Sequence, residues 1–305
     1  MLKKSAILAA IISLGLLASA CTDHAKIKSD LLTAAAKQSE LASYRFEGSA
    51  LLNLHLNADP SAPLTTALLS FVKTSKLEWK GVSSSEPRME TTLKITPENA
   101  GNTSMEIPAL FKDGKWYFSL PPIHKNGEFS VLDMSKITGN QTGKLSGSED
   151  LMSALLKQVL GAVDAKWVNQ TKEPVTLPDQ SSARQYTIEM NESNAKELNT
   201  ALNAAVPGMT EWLKTNGWAA GLINPGQIEL QAPSSLSFAV DEKGFIREQR
   251  YQLYFTLKQS SGKPEQQHVE LRQYISDVNT SPAFEMPVPA DAKPLNLPAA
   301  PSKQP

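Results

Sequence analysis

Residues 44–57 carry the pattern that most narrows the folds open to this chain. Tyr44, Phe46, Gly48, Ala50, Leu52, Leu54 and Leu56 alternate with Arg45, Glu47, Ser49, Asn53, His55 and Asn57. Successive side chains of a strand point to opposite faces, so the run predicts one long strand with a single apolar face. Leu51 is the departure, and Pro60 and Pro63 end the strand. An apolar face must be covered by a second layer, so the chain needs helices or another sheet against it.

The same period returns along the chain. Leu77 and Trp79 share one face of a second strand, and Met89, Thr91, Leu93 and Ile95 share one face of a third. Residues 105–120 read as a hairpin, because Asp113-Gly114 supplies the positive φ that a tight turn requires. A short strand is expected over Glu128–Leu132, and another around Tyr186, Ile188 and Met190. The last third reads as an antiparallel meander. Leu236, Phe238 and Val240 lead to a turn at Glu242-Lys243-Gly244. Ile246 opens the return arm, on which Tyr251, Leu253, Phe255 and Leu257 align. A turn at Ser260-Ser261-Gly262 then leads to Val269, Leu271, Gln273 and Ile275.

Helical spacing appears in three places. Over residues 25–42, Ile27, Leu31, Ala34, Ala35 and Leu41 fall near one face. Ser146 and Glu149 have capping-box spacing ahead of Met152, Leu155, Leu156, Val159, Leu160 and Val163. Asn194 and Glu197 suggest a third capped helix with Leu198, Leu202 and Val206 inward, stopped by Pro207-Gly208. A further short helix over 209–218 would carry Trp212 and Trp218, which would cap one end of the core or form a lip over a pocket. Residues 64–72 fit a short helix or an apolar loop. Residues 281–305 hold seven prolines and read as an extended, mobile tail, with Phe284 and Met286 able to dock on the body.

The amino terminus places the protein. Lys3 and Lys4 precede an apolar run, Ala6–Leu17, that is too short for a membrane span of about 20 residues. Ala18, Ser19 and Ala20 then stand directly before Cys21, the only cysteine. LASAC resembles the lipobox of bacterial lipoproteins, with Leu17 one place further upstream than the usual pattern. The resemblance implies that Cys21 becomes the mature N-terminus and carries diacylglycerol. Two acyl chains anchor stably, since each buried methylene contributes about 0.8 kcal/mol. The other reading is a plain signal peptide cut after Ala20. The expected divisions are a signal peptide over 1–20, a lipidated tether over 21–24, a folded domain over 25–280 and the tail over 281–305. Loss of residues 1–20 takes Lys3 and Lys4 from the 30 Lys and Arg, leaving 28 against 31 Asp and Glu, a formal charge of −3. That balance argues against nucleic acid as a partner. No second cysteine is available for a disulfide, so stability must come from the core.

Catalytic signals are absent from the sequence pattern. His24, His55, His124 and His268 are far apart and form no metalloprotease spacing. Ser181-Ser182 and Ser234-Ser235 lack a nucleophile-elbow context, and Ser146 and Ser148 fit a turn and cap. No Gly-rich phosphate loop follows a strand. The expectation is a protein that is not an enzyme and needs no cofactor or metal.

The order helix, long alternating strands, central helices and terminal meander, together with the lipobox, resembles the lipoprotein-carrier superfamily. That group holds periplasmic lipoprotein carriers, outer-membrane lipoprotein receptors and mycobacterial lipid-binding lipoproteins. The phrases SYRFEGSALLNLHL and FKDGKWYFSL are similar to those of uncharacterised lipoproteins of spore-forming Gram-positive bacteria. The resemblance implies an α+β fold: one strongly curved antiparallel sheet, an unclosed barrel, with helices on its concave side. It also implies a lipid-anchored protein on the extracytoplasmic face of the cell membrane, with an acyl chain or another lipoprotein as ligand. Strand parity selects Phe46, Leu52, Trp116, Phe118, Phe238 and Phe255 as candidate walls of an apolar cavity. A filled core and a hollow one share the same binary pattern. The alternative is therefore a structural or sensory envelope lipoprotein that acts through protein contacts and has no cavity.

Overall fold

A computed structural model describes residues 22–55, 72–86, 88–98, 103–121, 124–125, 127–133, 148–215, 228–257 and 265–295. Cys21 and the turn at 260–262 lie outside the described residues, as do the segment 64–71 and Trp218.

The chain opens with helix α1, His24–Lys37, whose start is capped by Asp23 accepting from the Lys26 N–H at 2.9 Å. Six strands follow: β1 (Ser43–Asn53), β2 (Thr74–Ser84), β3 (Arg88–Pro97), β4 (Met105–Lys112), β5 (Lys115–Phe118) and β6 (Ser130–Asp133). Helix α2 (Ser148–Ala162) leads through a short 3-10 turn to β7 (Val168–Gln170), β8 (Val175–Thr176) and β9 (Ser182–Met190). Helix α3 (Ala195–Thr215) precedes the final meander, β10 (Ile228–Asp241), β11 (Ile246–Leu257) and β12 (Glu265–Ser276), and a terminal β13 (Lys293–Pro294).

All thirteen strands belong to one sheet, ordered β13-β6-β5-β4-β3-β2-β1-β12-β11-β10-β9-β7, with β8 beside β9. Every pairing is antiparallel except β13 with β6. The two ends of this order do not pair, so hydrogen bonds do not close the sheet. The expected α+β class with a single unclosed antiparallel sheet is therefore present, and the described residues add three helices packed on one face.

The registers assign every side chain to a face. Ile95, Leu77, Ala50, Leu271, Tyr251, Leu236, Ile188 and Val168 lie directly opposite one another in sequence across β3, β2, β1, β12, β11, β10, β9 and β7. Their face is the one the helices cover. Leu31, Ala34 and Ala35 of α1, Leu156 and Leu160 of α2 and Leu198 of α3 join Val168, Tyr186, Ile188, Phe238, Val240 and Ile246 in the main core. Small residues on α1 let α2 come close enough for the Ser153 hydroxyl to donate to the Ala35 carbonyl at 2.9 Å. Lys28 of α1 donates to the Gly161 carbonyl at 2.9 Å and the Val163 carbonyl at 2.5 Å, satisfying the open end of α2.

The opposite, outer face mixes charged side chains with buried apolar patches, one of Leu177, Ala183, Ala239 and Tyr274 and one of Val82 and Leu110. Arg250 stands directly across from Arg272, a like-charge pair that would repel. The Glu248 carboxylate compensates it, lying 2.8 Å from Arg250 Nη2 and 2.5 Å from Arg272 Nε. At one end of the sheet, Arg247 occupies the bulge where β10 and β11 shift register. Its guanidinium donates to the Ile275 carbonyl (2.8 Å), Asp179 (2.8 Å), Asp241 (3.3 Å) and the Tyr274 hydroxyl (3.3 Å).

Several local expectations change. The first strand ends at Asn53, short of Leu54 and Leu56; the Leu54 N–H instead donates to the Lys73 carbonyl at 2.8 Å. The third helix does not stop at Pro207-Gly208 but runs to Thr215, and Trp212 lies on it. Gly208 faces Gln158 of α2, where a Cβ would come within 2.7 Å of the amide oxygen, so packing between the helices outweighs the proline. Asn194 stands at the start of α3, where its carbonyl accepts from the Leu198 N–H at 2.9 Å, while its side chain turns back to the preceding residues. Its Oδ1 accepts from the Asn191 N–H at 2.8 Å and its Nδ2 donates to the Glu189 carbonyl at 2.9 Å, which tightens the turn before α3 instead. The 105–120 hairpin forms as expected, with Asp113 at φ 51° and Gly114 at φ 74°. The tail is docked as far as residue 295, through bonds to β3 and β6.

Candidate functional site

The described helices lie over β7 and β9–β11, and the half of the same face formed by β1–β5 has a different surface. Here two glycines control the relief. Gly81 is directly opposite Phe46, and Gly48 is directly opposite Trp79. A Cβ at Gly81 would lie 2.5 Å from Phe46 Cζ, and one at Gly48 would lie 2.5 Å from Trp79 Cε2. The rings therefore lie down over bare backbone instead of standing out from the sheet. Aromatic cover of strand glycines lowers the floor of the face while keeping it apolar.

The floor continues outward. Leu93 neighbours Trp79 and faces Ile107 on β4, Ala109 faces Phe118, and Phe111 faces Trp116. The Phe111 and Trp116 rings meet at a centroid distance of 5.2 Å, and those of Tyr44 and Phe46 at 6.0 Å. Leu93, Trp79, Phe118 and Trp116 are all half-buried. Between this floor and the helix-covered core runs a polar strip. Gln273 lies opposite Gly48, and Gln249 opposite Gln273. The Tyr251 hydroxyl donates to Gln249. Burial pushes the Tyr251 phenol well above the ordinary tyrosine range, so it remains a neutral hydroxyl. An apolar floor bordered by a few neutral donors suits a molecule with a long apolar body and an uncharged or weakly polar head.

The six residues selected by strand parity all lie on this helix-bearing face. They do not line one pocket, because parity fixes the face and not the position across it. Phe238 is 1% exposed in the core under the helices, edge-on to Tyr251 at 5.9 Å. Phe46 borders a smaller cluster of Leu41, Tyr44, Phe245 and Ile275. Leu52 and Phe255 lie toward the other end of the strands, opposite Val269 and Gln267. Phe118 is four strands from Phe46, about 19 Å at the usual interstrand spacing. Trp79, Gly48 and Gly81 complete the floor. Sequence reasoning missed their role because it depends on the β1–β2 register, which strand alternation does not reveal.

The polar constellations are structural. The Leu120 N–H donates to His124 Nδ1 at 2.8 Å, so that nitrogen carries no proton and the neutral ring is protonated at Nε2. The Nε2–H then donates to the Ser130 oxygen, 2.9 Å away. In this arrangement His124 is not a base for the Ser130 hydroxyl. His24 Nδ1 donates to the Val168 carbonyl at 2.9 Å, tying α1 to β7. β1–β12 pairing brings His55 and His268 to the same end of the sheet, where the His268 ring stacks on Tyr254 at 4.3 Å. Among the described residues, no three of His, Cys, Asp and Glu come together as a metal site. No helix among them is long and apolar enough to cross a membrane.

No protein-family model matches the chain, and no curated protein matches it. Among solved structures, it is similar to the Mycobacterium tuberculosis lipoprotein LppX at 10% identity and a TM-score of 0.38, over 87% of this chain and 100% of that one. A protein of the DUF1329 family from Desulfovibrio piger is similar at 9% identity and a TM-score of 0.23, over 85% of this chain and 96% of that one. Lipovitellin is similar at 8% identity and a TM-score of 0.22, over 81% of this chain and 26% of that one. At these scores the likenesses carry no argument about ligand or source.

Proposed function

We propose that this protein is a membrane-anchored lipoprotein of the lipoprotein-carrier type that holds an acyl chain against the helix-bearing face of β1–β5. The observation that carries the reading is the pair of aromatic rings laid over Gly48 and Gly81. A face destined only for a helix gains more from upright side chains that interdigitate. Flattened rings leave a shallow apolar trough instead. Each methylene transferred into it gains about 0.8 kcal/mol, so a long chain is held without a charged partner.

The anchor fits the same reading. Acylated Cys21 would stand two residues from Asp23, which caps α1. The body would then sit against the outer leaflet, where an acyl chain moves only a short distance to enter. The protein works on the extracytoplasmic face of the membrane, and its task is binding and not catalysis.

The test is fluorescence quenching by a brominated fatty acid, read beside native mass spectrometry of the gently purified protein. Contact with the floor should quench tryptophan emission, and the paired variants Trp79→Phe and Trp116→Phe should remove most of that quenching. Native spectra should show co-purifying lipid. Absence of both quenching and bound lipid overturns the proposal and favours an envelope lipoprotein that acts through protein contacts.

A further inference from the structure

The tail does more than trail from the body. After β12, residues 281–292 cross the outer face at β3 before β13 pairs with β6. At the crossing, Glu90 Oε2 accepts from two successive backbone N–H groups, those of Glu285 at 2.8 Å and Met286 at 3.0 Å. Arg88 Nη2 donates to Glu90 Oε1 at 2.6 Å and to the Met286 carbonyl at 2.7 Å. The Arg88 guanidinium also lies 4.6 Å from the centre of the Phe284 ring. Glu90 lies between Val82 and Leu110 in one outer-face row, and the three are 8%, 7% and 0% exposed respectively.

Almost all of this recognition is of main chain. A carboxylate takes two adjacent N–H donors, a guanidinium takes the carbonyl next to them, and one aromatic ring is read by its face. An acyl chain offers no such pair of donors, whereas a polypeptide that turns locally, like the strap at Glu285-Met286, offers one. The seat is also wider than the strap requires. A cleft of about 610 Å³ opens beside it, lined by Arg45, Lys80, Thr92, Ala283 and Met286 among others. The distal hold is weak. β13 adds only Lys293 and Pro294 in parallel to β6, with 2.9 Å bonds from the Lys293 and Leu295 N–H groups to the Phe129 and Val131 carbonyls. Parallel pairing is the less stable kind per residue, and an edge strand this short opens before the sheet does.

We infer that the groove over Arg88 and Glu90 is a docking site for an extended, aromatic-bearing segment of a partner protein, closed in cis by residues 281–295. Release of the strap frees the Glu90 carboxylate and bares the β6 edge. An incoming segment that places an aromatic residue over Arg88 and backbone N–H groups on Glu90 takes over the same bonds. This surface is on the opposite side of the sheet from the aromatic floor, and its use does not depend on lipid binding.

The test uses the full chain and a fluorescent peptide spanning residues 281–295 supplied in trans. Phe284→Ala loosens the resident strap and leaves the seat intact, so this variant should bind the peptide at least tenfold more tightly than the wild type. Adding Glu90→Gln should abolish the gain. Native-state hydrogen exchange reads the same device without a mutated seat. The Glu285 and Met286 amides should exchange faster than the Ile188 amide in the wild type, and faster still in Phe284→Ala. No binding to Phe284→Ala, binding indifferent to Glu90, or strap amides that exchange only with the whole sheet each overturn the inference.

Discussion

Replacing Arg247 by methionine tests whether buried charge pins the end of the sheet. Methionine keeps much of the stem and removes the guanidinium, along with four hydrogen bonds to Asp179, Asp241, Tyr274 and the Ile275 carbonyl. The partners do not suffer equally. The Asp241 side chain is 9% exposed and would be left as a buried carboxylate without its cation, whereas Asp179 is 38% exposed and water can resolvate it. Breaking a buried pair costs about 3–5 kcal/mol, and the wet partner puts this case near about 3 kcal/mol. With a urea m value of about 3 kcal/mol/M, the midpoint should fall by about 1 M. The double variant Arg247→Met with Asp241→Asn should recover part of the loss, because the orphaned charge goes too. A fall under about 0.3 M, at that same slope, or a double variant no better than the single one, refutes the assignment of the cost to Asp241.

Asp179 gives a pH signature. The Ser181 hydroxyl, the Ser181 N–H and Arg247 hold its carboxyl well below the ordinary value of 3.8. A depressed folded pKa stabilises above the unfolded value and loses its effect as pH falls, so the melting difference between wild type and Asp179→Asn should be level from pH 7 to about 5 and shrink below about 4. A difference unchanged at about pH 2.5 would contradict that linkage. Gly81→Ala drives a methyl into the Phe46 ring and the Glu90 carbonyl and should cost about 1–3 kcal/mol in urea unfolding; it should also weaken binding of the brominated fatty acid. Unchanged stability would mean that both the Phe46 ring and the β3 backbone at Glu90 give way, and would refute the tight β2–β3 approach. Trp116→Ala should cost less than the about 3–5 kcal/mol of a fully buried aromatic, because its ring is half-buried. Cys21→Ser should release the protein from the membrane fraction with its urea midpoint unchanged, and retention in that fraction would sink the lipid anchor.

Alternation made β1 legible because one side chain in two was apolar, and Asp113-Gly114 announced its hairpin because few residues accept both positive φ angles. What was hidden is non-local. Nothing in residues 43–53 says that their neighbours are β2 on one side and β12 on the other, and only that register puts Gly48 under Trp79. The same gap spread the six parity-selected residues over the sheet when a single pocket was expected. Pro207 misled because its local cost is real but the contact of α3 with α2 is larger in effect. The proline-rich tail misled for the opposite reason. Its composition cannot build a core, yet its backbone groups suffice to bond to Arg88 and Glu90.

The β1–β12 pairing has a consequence for how the chain is made. It joins residues as far apart as Arg45 and Ser276, while most other strand pairs are sequence neighbours. Two meanders, β1 to β6 and β9 to β12, can assemble early from local contacts, but the seam between them waits for the last long strand. Until then β1 presents an unpaired edge with Leu51 and Leu52 beside it, the kind of edge that templates aggregation. A chain interrupted before β12 begins at Glu265 would carry that edge permanently. During synthesis the chain therefore stays vulnerable until β12 emerges, and a chaperone that shields β1 would act at the step that decides yield.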